Sequence, residues 1–156
     1  MPRRLVACVA CAALGPAACG DDNPALSAGC TEGPAAIERA LRAAPGTVTL
    51  NDGTPLSHCV RDARSDAELQ NVGLSMSAAA DHLTDRATAG DARAALGLGY
   101  LAGAARRGGR ETNGVGLELV RRVELRAGRL TGGAAESTAA IRAAIRRGLA
   151  AGERGG

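Results

Sequence analysis

Lysine, phenylalanine and tryptophan are absent from this chain, and tyrosine occurs once, at Tyr100. With so few rings for bases to stack on, a single-stranded nucleic-acid platform is excluded. No apolar run reaches the roughly 20 residues a membrane-spanning helix needs, which excludes a polytopic membrane protein. The 22 glycines follow no three-residue period, which excludes a collagen-like chain. Large apolar side chains are scarce as well: residues 19–156 hold 26 Val, Ile, Leu, Met and Tyr among 138 residues. What remains is a 156-residue chain, room for one domain, with 35 alanines and 19 arginines that carry every basic charge. The bias to Ala and Arg fits a GC-rich genome better than a particular chemistry. Helices of such composition must approach closely through alanine and glycine faces.

The N-terminus carries the clearest pattern. Arg3-Arg4 gives a positive start, Leu5 to Leu14 is apolar and uncharged, and Gly15-Pro16-Ala17-Ala18-Cys19 follows. A positive segment, an apolar stretch of about 7–15 residues and small residues at the end make a secretory signal peptide. The competing interpretation is a buried core helix with a basic cap.

Ala17-Ala18-Cys19-Gly20-Asp21-Asp22 resembles the lipobox of bacterial lipoprotein precursors, with Pro16 where that family prefers Leu. The resemblance implies a signal peptide over 1–18, a diacylglycerol on Cys19, and a mature protein held on the extracytoplasmic side of the cell membrane. Ordinary signal-peptidase cleavage, giving a secreted product, is the rival. The remainder of the chain resembles small lipoproteins of actinobacterial type, which implies no activity. Cys8 and Cys11 would leave with the signal. With Cys19 lipidated, Cys30 and Cys59 remain, an even number in an oxidising compartment. A Cys30–Cys59 disulfide would stabilise the fold by roughly 3–4 kcal/mol in the chain-entropy model; two free thiols are the alternative. No C-x-x-C or H-x-x-x-H spacing suggests zinc.

Residues 19–29 read as the lipidated N-terminus and a flexible polar tether. Pro34 opens a short helix with Ile37, Leu41 and Ala44 on one face, and Pro45-Gly46 stops it. Thr47 to Leu50 alternates like a strand, Asn51-Asp52-Gly53 is a turn, and Leu56 to Val60 could return as the second limb of a hairpin. Ser65 and Glu68 have capping-box spacing. A long helix to about Ala87 follows, with Leu69, Val72, Met76, Ala79, Ala80 and Leu83 on one face. Asp91 caps a third helix expected to end at Gly108-Gly109. Asn113-Gly114 is a turn. A fourth helix carries Leu119, Val120 and Val123, and a fifth runs from about Ala134 to Ala151. The expected fold is mainly α: four to five helices in a small bundle, preceded by a short disulfide-stapled β-hairpin. The domain is placed at 30–152, with a disordered tail at 153–156.

Three motifs carry possible chemistry. Gly97-Leu98-Gly99-Tyr100-Leu101-Ala102 matches a dinucleotide fingerprint, but it lies within a helical pattern where that fingerprint needs a preceding strand. Gly99 and Gly103, four apart, suit helix–helix packing instead. Asp81, His82 and Asp85 could orient a base or hold a metal. Ser57-His58-Cys59 would be a dyad only with a reduced Cys59. Charge is more informative: residues 19–90 carry net −5 and residues 91–156 net +6. Arg121, Arg122, Arg126, Arg129, Arg142 and Arg146 form a candidate surface for anionic lipid headgroups or cell-wall polymers. The reading is therefore a lipid-anchored, extracytoplasmic, non-catalytic binding module. No cofactor, metal or nucleic-acid partner is expected, and the oligomeric state stays open. The alternative is a small hydrolase or metal-dependent enzyme using His82 or His58.

Overall fold

The computed structural model describes residues 25–112, 114, 116–131 and 138–156. The segment expected to be a signal peptide, 1–18, and Cys19 lie outside the described residues. The fold is mainly α, built from α1 (Pro34–Ala40), α2 (Leu56–Asp62), α3 (Asp66–Thr88), α4 (Ala92–Arg110), α5 (Leu117–Thr131) and α6 (Ala139–Gly155). Short 3-10 turns at Ala28–Thr31 and Leu41–Ala43 flank α1. None of these helices is long and apolar enough to cross a membrane.

The helix starts follow local chemistry. Ser65 and Glu68 form the full capping box of α3, each side chain meeting the other's backbone N–H. The Asp91 carboxylate accepts from the Arg93 and Ala94 amides, and the Thr138 hydroxyl accepts from Ile141. Each satisfies donors that the first helical turn leaves without partners.

The expected hairpin is not present. Its turn forms: Asp52 accepts from the Thr54 amide, Gly53 adopts φ +85°, and Leu50 donates to the Thr54 carbonyl. Pairing stops there, at one isolated antiparallel bridge between Thr49 and Pro55. The return limb coils into α2 instead, with Pro55 as its N-cap residue. Leu56, Cys59 and Val60 share one helical face and are all buried. A strand would have sent Cys59 to the opposite side from Leu56 and Val60. Cys59 is bonded to Cys30, with Cα atoms 5.4 Å apart, so the staple joins the turn before α1 to α2.

Both ends of the expected domain also differ. The presumed tether is ordered by residue 27: the Ser27 hydroxyl and the Gly29 amide donate to the Asp52 carboxylate. The presumed tail at 153–156 continues α6, Gly156 is buried, and the Ser57 hydroxyl donates to its carbonyl.

The core centres on α4, whose residues from Ala94 to Ala105 are all buried. A helix apolar on every side needs neighbours on every side, and α2, α3, α5 and α6 supply them. α4 and α6 run in the same direction and interlock through glycine. A Cβ on Gly99 or Gly103 would fall within 3.0 Å of the Ile145 or Leu149 carbonyl. A Cβ on Gly148 or Gly152 would do the same to Leu96 or Tyr100. Two small-residue stripes thus face each other, and the backbones touch as in close-packed helix pairs. Gly108 meets the Ser57 carbonyl of α2 and Gly109 meets Val120 of α5 in the same way. As expected, the helix ends here, at Arg110, and within its last turn these two glycines also let α2 and α5 approach.

Candidate functional site

Pulling α6 onto α4 leaves a gap elsewhere. α5 runs antiparallel to α4 and packs on it through Val120 against Gly109, while it touches α6 only slightly. Between α5 and α6 opens a cleft of about 270 Å³. Ala102 of α4 is part of its floor, and Ala127 and Gly128 of α5 face Ile145 and Leu149 of α6. A Cβ on Gly128 would meet nothing within 4 Å, so this wall is open. The polar lining is Arg106, Glu124, Thr131 and Arg146. Arg106 is committed: it donates to Glu124 at 2.6 Å and Glu153 at 2.7 Å, and those carboxylates hold its pKa above the ordinary arginine value. Arg146 is exposed at the lip. An apolar floor with one exposed cation suits the apolar part of an anionic ligand, in a volume at the small end for ligand sites.

A second groove, about 330 Å³, lies between α3 and α5. Leu69, Gly73, Leu74 and Leu119 form its apolar part, and Gln70, Glu118 and Arg122 its polar part.

The six candidate arginines occupy different surroundings. Arg121 and Arg122 share Glu118, each through a 2.9 Å contact. The two guanidiniums pull the Glu118 carboxyl down to about 2. Arg126 turns toward α3 and makes a two-pronged bond to Asp81, at 2.5 and 3.1 Å, which lowers that carboxyl's pKa. Arg129 is exposed on α5, Arg142 is half-buried on α6, and Arg146 lines the α5–α6 cleft. The set is therefore scattered: Arg121, Arg122 and Arg129 are exposed on α5, Arg126 is bonded to α3, and Arg142 and Arg146 are on α6, Arg146 alone lining the cleft.

Neither histidine lines either cleft. His82 Nδ1 lies 2.8 Å from a Glu38 oxygen, so α1 supplies its partner, and Asp85 does not. That bond, reinforced by the carboxylate's charge, raises the His82 pKa. The ring is 60 % exposed on an open helix face. His58 is half-buried on α2, next to a Cys59 already committed to the disulfide. The fingerprint-like stretch at Gly97 to Ala102 is wholly inside α4, with no strand before it, and Gly99 meets α6.

Neither cleft was legible in the linear pattern. The available signal was the spacing of Gly148 and Gly152, which mirrors Gly99 and Gly103 and would have paired α6 with α4. The chain matches no family model, no curated protein and no solved structure.

Proposed function

We propose that this protein is a lipid-anchored, extracytoplasmic binding module without catalysis, attached through Cys19 and facing an anionic partner of the cell envelope. The observation that carries the reading is the buried Cys30–Cys59 disulfide. Structural disulfides persist in oxidising compartments, in keeping with the lipobox-like segment before the domain. The arginines on α5 and the cation at the lip of the α5–α6 cleft support an anionic partner. The separate positions of the exposed His82 and the half-buried His58 offer no shared pocket for acid–base work.

The test is Cys19→Ser in cells. We expect the protein to leave the membrane fraction, and globomycin to accumulate an unprocessed precursor of the parent chain. Retention of the Cys19→Ser protein in membranes would overturn the anchor. A single acyl chain binds only marginally, so two or more are expected on the mature N-terminus.

A further inference from the structure

Among the described residues, three large apolar side chains are left exposed: Leu74, Leu117 and Leu125, at 62, 60 and 52 %. Single exposed leucines are ordinary, but these sit on two neighbouring helices, α3 and α5. Leu117 and Leu125 are two i+4 steps apart on the outer side of α5, with Arg121 midway and Arg129 one step beyond. Leu74 of α3 stands across the groove from Glu118 and Arg122. Glu118, Arg121, Arg122 and Arg129 are all exposed on this side. The face thus combines three leucines with three guanidiniums and one carboxylate. Arg126 at its edge is neutralised by Asp81 of α3.

We infer that this face of α5, with Leu74, is a membrane-contact surface for an anionic leaflet. The leucines enter the headgroup layer while Arg121, Arg122 and Arg129 meet lipid phosphates, the arrangement of an interfacial helix. The net positive charge argues for this occupant. A second copy would set guanidiniums against guanidiniums, whereas an anionic leaflet attracts each one over about a Debye length. The inference deepens the proposed function and rests on its membrane placement. With Cys19 anchored, the chain from 19 to Ala25 reaches at most about 20 Å, which holds the domain within range of the leaflet. A weak surface is sufficient at that distance.

The absence of tryptophan provides a clean probe. In the full chain, Leu125→Trp introduces a single reporter on the face, and Arg42→Trp places one on the exposed turn after α1. We expect Leu125→Trp emission to shift to the blue with vesicles of mixed phosphatidylcholine and phosphatidylglycerol. The shift should shrink with phosphatidylcholine alone, and Arg42→Trp should not shift. The double variant Leu117→Ser/Leu125→Ser, with helicity unchanged by circular dichroism, should partition about tenfold more weakly onto the mixed vesicles than the parent chain. Unmoved Leu125→Trp emission, or equal partition of parent and double variant, would overturn the inference. So would an emission shift that depends on protein concentration without vesicles, which would assign the face to a second copy. The reporter is independent of the anchor: membrane retention of Cys19→Ser would sink the anchoring reading and leave the emission result standing.

Discussion

At the residue scale, glycine positions divide sharply by what a methyl group would meet. Gly99 and Gly152 sit where a Cβ would collide with backbone of the facing helix, and backbone cannot rotate away. Gly99→Ala and Gly152→Ala should each cost about 1–3 kcal/mol or more, as overpacking does. Gly128→Ala meets open space on a helix and should instead stabilise by roughly 0.5–1 kcal/mol, since alanine loses less freedom on folding. Urea denaturation of the three variants checks both signs. Tyr100 offers a related test. It is fully buried, and its hydroxyl makes no well-formed hydrogen bond among the described residues. Burial pushes its pKa up, which the Val48 backbone beside it offsets only in part. Deleting an unsatisfied hydroxyl removes a desolvation cost, so Tyr100→Phe should be neutral or stabilising in the same assay.

The elements depend on attachments that reach across the sequence. The Cys30–Cys59 bond ties the turn before α1 to α2, and Asp52 ties Ser27 and Gly29 to the turn before α2. These two attachments hold the N-terminal part of the domain against a helix of only seven residues. Such a helix is too short to persist alone. Replacing both cysteines with serine should lower stability by about 2–4 kcal/mol. Thermal melts of oxidised parent and variant would show it. Hydrogen exchange should quicken first in α2, whose amides lose their tie to the preceding segment.

The pH response belongs to the whole molecule because its groups bridge many elements. The carboxyls of Asp52, Asp62, Glu68, Asp81, Asp91 and Glu118 all lie below their ordinary range. The leading causes are, in turn, the Ser27 hydroxyl, Arg61, the Ser65 amide, Arg126, the Ala94 amide and Arg121. A folded pKa below the unfolded one contributes stability above the unfolded value, near 4, and loses it as pH falls through the lowered values. His82 has the opposite sign: its pKa is raised, so the Glu38 bond contributes fully below about 6.5 and fades as pH rises through the raised value. The melting temperature should therefore be highest near pH 5–6 and fall steadily below about pH 4. In an NMR titration, Glu38→Gln should return His82 toward its ordinary value. An unchanged His82 titration would contradict the bond.

Much of the helical layout was readable along the chain, because its signals are local. The capping box at Ser65 and Glu68, the Asp91 cap and the apolar spacing from Leu69 to Leu83 act within a turn or two of helix. Cysteine parity, given lipidation of Cys19, indicated the Cys30–Cys59 pair. Where local signals were balanced, the tertiary structure decided. Leu56 to Val60 alternates well enough for a strand, yet burying Cys59 on the same side as Leu56 and Val60 requires a helix. Gly108 and Gly109 read locally as a helix stop, and α4 ends one residue later; what the linear pattern did not show is that α2 and α5 press against α4 there, where only a residue without a side chain lets them approach. The clefts on either side of α5 depend on how closely α6 is drawn to α4. That distance is set by four glycines far apart in sequence, meeting backbone that no linear pattern specifies.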